Sequence, residues 1–159
     1  MSAVLKRTPG DPLPGQAMKT HWIGDVISGN HDQSEVHLKG WIHRSRGSKR
    51  LRFIVLRDST GTVQCVIKRD VVGDDTFEAV ESALIESSVE ISGTAIPTDR
   101  EHGHEIQVSD IRIVGPVDPS RPFPITESAM TEADGGETEF LLDNRHLYLR
   151  TGRMTTMLK

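Results

Sequence analysis

The sequence contains one cysteine, few aromatic residues and no long apolar run. Because Cys65 has no second cysteine to pair with, an internal disulfide is excluded and a reducing, cytoplasmic location is expected. No stretch approaches the ~20 apolar residues of a membrane-spanning helix, and the first residues lack the apolar segment of a secretory signal. These absences exclude a disulfide-stapled scaffold and predict that no membrane is a partner.

Acidic residues are missing from one segment of an otherwise acidic chain. The 159 residues carry a formal net charge of −4, yet seven of the 19 basic residues lie in 36–57 without a single Asp or Glu, which leaves 12 basic against 23 acidic residues elsewhere. Because charges act over about 8–10 Å at physiological salt, this local basic segment attracts phosphates even on an acidic chain. A solvated, charged hairpin is the alternative interpretation.

The apolar periodicity predicts a mainly β protein. From Val36 to Ile42 apolar residues alternate with polar ones, which is the period of a strand with one buried face. Turn residues follow at 47–48 and 58–61. The predicted strands cover about residues 36–46, 50–57, 62–68, 89–97 and 105–114.

The period changes between the third and fourth strands. An N-cap pattern begins at Asp75, and apolar residues follow at helical spacing to Leu84. The resulting order β-β-β-α-β-β is that of the five-stranded OB-fold barrel, with a helix between strands three and four. Gly40 and Gly93 fall inside strands, where such a small barrel bends sharply.

Composition divides the chain into four segments. Prolines and glycines predict a disordered leader over 1–20, and the OB-fold domain is expected over 21–115. A Pro-rich and then acidic linker is predicted over 116–139. Residues 140–159 are again apolar-periodic and are interpreted as a hinge and the first piece of a further domain that this chain does not contain.

The second and third strands of an OB-fold carry the candidate binding residues, because this face binds single strands. Phe53 alternates with the apolar Ile54 and Leu56, so its ring is predicted to face outwards as a platform for base stacking, with barrel-end packing as the alternative. Gln64 is out of phase with Cys65, which is predicted to pack in the core. Gln64 therefore shares the outer face, where its amide can read a pyrimidine edge.

Cations surround these two residues in the sequence. Arginine suits phosphates and base edges because its guanidinium is a planar fork of donors. Trp41 precedes the arginines and is expected to pack in the core or at the barrel end. The predicted nucleic-acid-binding set is Arg44, Arg46, Lys49, Arg52, Phe53 and Gln64.

No catalytic or metal site is predicted. His102-Gly103-His104 supplies only two ligands, without further partners at metal-site spacing. The sequence has no phosphate-binding glycine-rich loop and no recognisable nucleophile–base pattern. No cofactor is therefore expected in this chain.

Three barrel segments and the tail resemble the aspartyl/asparaginyl branch of the class II aminoacyl-tRNA synthetases. The barrel segments are residues 40–46, 52–58 and 61–66, and residues 141–150 resemble the hinge that leads into the family's catalytic domain. His146-Leu147-Tyr148 is more similar to asparaginyl than to aspartyl members. The resemblance covers about residues 36–159.

The resemblance implies anticodon recognition. Phe53 matches the family's aromatic residue that stacks on the central anticodon base, and Gln64 matches the glutamine that reads that uracil. Arg44 and Arg46 match first-strand arginines near the anticodon loop. Gln107 stands where bacterial aspartyl members carry a glutamate, so no role carries over to it.

The resemblance also implies a partner and a larger protein. The expected function is the anticodon-recognition module of an asparaginyl member, binding the anticodon loop of tRNA-Asn. An aspartyl module, a general single-strand-binding OB-fold and a protein-interaction module are the alternatives. ATP, Mg²⁺ and a homodimer are expected only with the catalytic domain, so the chain alone is not expected to charge tRNA.

Overall fold

Five strands and four short helices make up the part of the chain that the structure describes. In the computed structural model this part comprises residues 21–99, 103–125 and 142–148. The predicted leader, the acidic part of the predicted linker (126–139) and most of the predicted hinge (140–141 and 149–159) lie outside it. The strands are β1 (Glu35–Gly47), β2 (Leu51–Arg57), β3 (Thr62–Lys68), β4 (Ser88–Pro97) and β5 (His104–Gly115), and the helices are α1 (Ile23–Ile27), α2 (Arg69–Val72), α3 (Asp74–Ser82) and α4 (Arg145–Tyr148).

The strands close into a barrel in the order β1-β2-β3-β5-β4. All neighbouring pairs are antiparallel except β3 and β5, whose short parallel pairing runs from Gln64–Glu105 to Val66–Gln107. The chain between β3 and β4 is helical. This confirms the predicted mainly β, five-stranded OB-fold, although two consecutive helices replace the single predicted one.

Strand alternation places one set of apolar side chains inside the barrel. Cys65 is completely buried in this core, as its alternation predicts. Burial raises the pKa of the Cys65 thiol to about 12, so the group stays protonated at neutral pH and serves packing. The strand residues of the core are Val36, Leu38, Ile42, Ile54, Leu56, Val63, Cys65, Ile67, Val89, Ile91, Ala95, Ile106, Val108 and Ile111.

Two glycines allow the close backbone approaches that the barrel requires. A Cβ atom at Gly40 would lie 2.4 Å from the carbonyl oxygen of Arg57, and one at Gly93 would lie 2.4 Å from that of Gln107. Both distances are far inside van der Waals contact, and the obstacle is backbone that cannot move aside. These two positions therefore require glycine because two backbones meet there.

The helix after β3 differs from its prediction at both ends. The sequence pattern predicts a helix from Asp75 to Leu84, whereas α3 begins at Asp74 and ends at Ser82. Its N-cap is Gly73, whose φ of 84° is left-handed, and no side chain caps the helix. The N-cap prediction at Asp75 is therefore wrong. This carboxylate lies in the first turn, where the helix dipole favours its charge.

Helix α1 covers part of the barrel core and is held by a buried carboxylate. Ile23 and Val26 are fully buried on its inner side. Asp58, 8% exposed, accepts hydrogen bonds from the Ile23 backbone N–H at 3.1 Å and, in the β2–β3 turn, from the Thr60 N–H at 2.7 Å and the Gly61 N–H at 3.2 Å. One side chain thus joins α1 to the turn.

Trp41 does not pack in the core, which is the first of its two predicted positions. Its side chain is 43% exposed on the outer side of β1. With Trp22 and Val114 it lines an apolar hollow of about 390 Å³. The reason is phase, because the buried Gly40 and Ile42 on either side of Trp41 direct it outwards.

The chain divides into two compact units between Ser120 and Arg121. The first unit contains the barrel with α1 to α3, and the described residues of the second include α4. None of the helices within the described ranges is long and apolar enough to span a membrane.

Candidate nucleic-acid interface

A β-bulge in β1 turns two arginines to the outside of the barrel. Val36, Leu38 and Ile42 point inwards, and unbroken alternation would direct Arg44 and Arg46 inwards as well. The pairing with β2 shifts by one residue between Ile42 and Arg44. This extra residue reverses the phase, and both arginines are exposed.

Two rows of outward residues cross β1, β2, β3 and β5. Residues directly opposite each other in neighbouring strands point to the same face of a sheet. The pairing registers therefore bring together, in order across the strands, Arg46–Phe53–Val66–Gln107 in one row and Arg44–Val55–Gln64–Glu105 in the next. We call these eight residues the outer wall.

Phe53 and Gln64 lie on the same side of the barrel. Phe53 is opposite Val66, and Gln64 is two residues before Val66 on the same strand. The two side chains are therefore diagonal cross-strand neighbours, a relationship in which Cα atoms lie about 7–8 Å apart. Both are half-buried. The predicted common face is confirmed, and the roles of the two residues stay predictions.

Arg46 lies over the ring of Phe53. The guanidinium carbon is 5.5 Å from the ring centroid, within the range of a cation–π contact. This contact orients both side chains. It also places a positive charge beside the only strongly apolar flat surface of the outer wall.

The structure does not bring Arg52 to the outer wall. Arg52 is next to Phe53 in β2 and therefore points to the opposite face. Its guanidinium donates to the Ser45 hydroxyl at 3.2 Å and to a Glu81 carboxylate oxygen at 2.6 Å, and the side chain is only 13% exposed. Arg52 thus ties β2 to α3, and we leave it out of the site proposed below.

Two lysines lie at the edge of the outer wall. Lys49 is exposed in the β1–β2 turn, which is closed by a hydrogen bond from the Ser48 N–H to the Leu51 carbonyl at 2.7 Å. Lys68 ends β3, opposite Leu51, and is exposed on the same face as Phe53. Lys68 is absent from the binding set predicted from the sequence, although it continues the outward alternation of Gln64 and Val66.

Cations elsewhere on the barrel are neutralised by carboxylates. Arg57 donates two hydrogen bonds to Glu86, at 2.8 and 2.9 Å. Glu90 accepts from Lys39 at 2.7 Å and from Arg112 at 2.6 Å. Burial raises the pKa of Glu90, but the hydrogen bonds and charges of these two cations outweigh it and lower the pKa below its usual range.

The described residues contain no group of three or more His, Cys, Asp or Glu side chains that could hold a metal ion. His104 instead forms a 2.7 Å hydrogen bond with Asp32. His102 lies outside the described residues.

A family model matches the barrel. It is that of the tRNA anti-codon family, described as an OB-fold nucleic acid binding domain, and it covers residues 36–114. The matched region contains the complete outer wall.

Several similar proteins are asparagine–tRNA ligases. The asparagine–tRNA ligase of Thermoplasma acidophilum is 40% identical over 139 residues, which are 86% of this chain and 30% of that protein. That of Sorangium cellulosum is 36% identical over 130 residues, 81% of this chain and 27% of that protein. The crystal structure of asparaginyl-tRNA synthetase from Pyrococcus horikoshii superimposes with a TM-score of 0.68 at 34% identity, over 81% of this chain and 29% of that one. The chain thus spans less than a third of the length of these relatives.

Proposed function

Because this chain belongs to the tRNA anti-codon family of OB-fold domains, in the form carried by asparagine–tRNA ligases, we propose that its outer wall binds the anticodon loop of a tRNA. The observation that carries the proposal is that Phe53 and Gln64 are diagonal neighbours on one face. The exposed Arg44 and Arg46 lie beside them on β1.

In the proposed complex, the central anticodon base stacks on Phe53. Base stacking on an aromatic side chain contributes roughly 1–3 kcal/mol and tolerates any base. Selectivity then comes from Gln64, whose amide donates to a uracil carbonyl and accepts from the uracil N–H. The diagonal spacing lets the glutamine reach the edge of the base that the ring holds.

Arg44, Arg46 and Lys49 supply the charge in this proposal. Contacts to phosphates position a nucleic acid and make its affinity depend on salt, whereas contacts to base edges make the affinity depend on sequence. The two arginines lie at the β1 end of the rows that contain Phe53 and Gln64. They are therefore placed to hold the loop backbone while the other two residues read the base.

The identity of the relatives supports tRNA-Asn as the partner and the cytosol as its location. The chain spans about 30% of the first relative's length. We therefore propose the charging of tRNA, with the ATP and Mg²⁺ that it requires, and the homodimer for the whole ligase. For the residues of this chain we propose no cofactor.

The first prediction tests stacking. The anticodon stem-loop of tRNA-Asn should bind the full chain, and Phe53→Ala should weaken binding by about 1–3 kcal/mol, roughly 5- to 150-fold, because the flat surface is removed. Fluorescence anisotropy of a labelled stem-loop measures the change. Trp22→Ala removes an exposed aromatic ring outside the outer wall and is the matched control. Equal affinities of Phe53→Ala and the wild-type chain would refute the proposal.

A second arm separates anticodon recognition from general single-strand binding. The same chain is titrated with a stem-loop whose central uracil is replaced and with a mixed-sequence DNA strand of equal length. Anticodon recognition predicts weaker binding of both. Equal affinity for all three ligands would favour the general binder.

A further inference from the structure

Nine of the ten lysine and arginine residues of the described barrel fall into two groups by position, and the tenth, Arg44, lies on the outer wall. Five lysine and arginine side chains pair with carboxylates, and these pairs lie away from the outer wall. They are Lys39 and Arg112 with Glu90, Arg52 with Glu81, Arg57 with Glu86, and Arg69 with Asp74. Such pairing cancels most of the field that a phosphate would meet there.

Within the described barrel, Arg46, Lys49, Arg50 and Lys68 form no ion pair with a carboxylate. All four lie at one end, around the β1–β2 turn and the last residue of β3. Lys68 is the cation of this group that no sequence pattern had singled out.

Lys68 lies in the cross-strand row next to that of Phe53. Its cross-strand partner is Leu51, whereas Val66 is the partner of Phe53, so a further row of the same face begins where the outer wall ends. Rows on one face are two residues apart, which is about 7 Å along a strand. In the other direction along β3, two residues before Val66, lies Gln64. Its partner on β5 is the acidic Glu105.

This asymmetry gives the bound strand a direction. The row of Gln64 ends on an acidic residue, whereas a phosphate next to Lys68 meets an exposed ammonium group that no carboxylate of the described barrel neutralises. The backbone of a nucleotide stacked on Phe53 is therefore favoured on the side of the β1–β2 turn.

We propose that Lys68, together with Lys49, binds the phosphodiester that flanks the base stacked on Phe53. The inference rests on the proposed function and adds to it the path of the RNA: from Gln64, past Phe53, towards the β1–β2 turn. Lys68 contributes affinity and orientation, and it does not read the base. Arg50 lies in the same turn but lines a hollow with Asp70 and Asp74, whose carboxylates weaken its field, and it contributes less.

The test is the salt dependence of RNA binding by the full chain. For a single strand, the slope of log affinity against log salt changes by about 0.7 for each phosphate that the protein neutralises. We expect Lys68→Gln to reduce the slope by about 0.7. The ratio of wild-type to variant RNA affinity should therefore shrink roughly threefold between 50 and 200 mM salt. Lys68→Arg should keep the slope. Lys39→Gln removes the same charge from a neutralised site and should leave the slope unchanged.

The outcomes separate this inference from the function on which it rests. If Phe53→Ala weakens binding while Lys68→Gln and Lys39→Gln show the same salt slope, the proposed path past Lys68 is wrong. The proposal that the outer wall binds the anticodon loop is then unaffected. If the wild-type chain binds no stem-loop, both proposals fall. Both Lys68 variants should fold because Lys68 is exposed at the end of a strand, and Lys39→Gln should fold because Glu90 keeps its pair with Arg112. Thermal melting checks this for all three variants.

Discussion

Neighbouring residues on one strand have opposite tasks in this barrel. Arg52 and Phe53 are adjacent in β2, yet Phe53 belongs to the outer wall and Arg52 is bonded to Ser45 and Glu81 on the other face. A strand reverses the direction of successive side chains, so two residues that look like one basic-aromatic motif in the sequence are separated by the sheet.

The residue-scale prediction is that substitutions of Arg52 and Arg46 change different properties. Arg52→Gln should lower the free energy of unfolding by about 1 kcal/mol, discounted because Glu81 is partly exposed, and should leave RNA affinity nearly unchanged. Arg46→Gln should weaken RNA binding and change stability little. Urea unfolding and anisotropy measure the two properties. The assignment of Arg52 to the fold fails if its variant loses RNA affinity without losing stability.

At the scale of elements, helix α1 depends on a carboxylate that lies in another part of the chain. Asp58 follows the last residue of β2 and accepts the N–H of Ile23, 35 residues earlier. The same side chain holds the β2–β3 turn through Thr60 and Gly61. The placement of α1 and the geometry of the turn are therefore coupled.

The element-scale prediction concerns Asp58→Ala. Several backbone donors lose their acceptor at a nearly buried position, and each unsatisfied buried group costs roughly 1–3 kcal/mol. We expect a loss of about 2–4 kcal/mol in the free energy of unfolding, measured by urea denaturation. Asp118→Ala is the control, because among the described residues Asp118 bonds only the local Ser120 and its loss should change stability little. Equal effects of the two substitutions would contradict the coupling.

At the scale of the whole molecule, charge is sorted around the barrel rather than averaged over it. The net charge of −4 gives no indication of a nucleic-acid binder. The neutralised pairs on β1, β4 and β5 leave the positive field at the end that contains Phe53. A chain can therefore be acidic in total and still attract a phosphate backbone at one surface.

The same sorting predicts how stability responds to acid. The pKa of Glu90 is lower in the folded protein than its ordinary value of 4.5. The stabilisation from its pairs with Lys39 and Arg112 is therefore fully present above that value and is lost as the pH falls through the lower, folded pKa. The difference in unfolding free energy between the wild-type chain and Glu90→Gln should shrink between about pH 6 and about pH 3. A difference that is independent of pH would contradict the lowered pKa.

The sequence by itself determined the strands, the closed OB-fold and the common face of Phe53 and Gln64. These features follow from local rules: period-two alternation selects the face of a strand, and Gly40 and Gly93 mark the places where two backbones meet. The resemblance to anticodon-binding domains pointed to the same residues.

Only the tertiary structure decided which cations belong to the proposed binding surface. The bulge that turns Arg44 and Arg46 outwards has no signal in the alternation of β1. The pairing of Arg52 with Glu81, and the position of Lys68 in the row beyond Phe53, depend on contacts between residues far apart in the chain. The physical reason is range: a side chain's direction is set by its own strand, but the charge that it presents to a ligand is set by its neighbours in space.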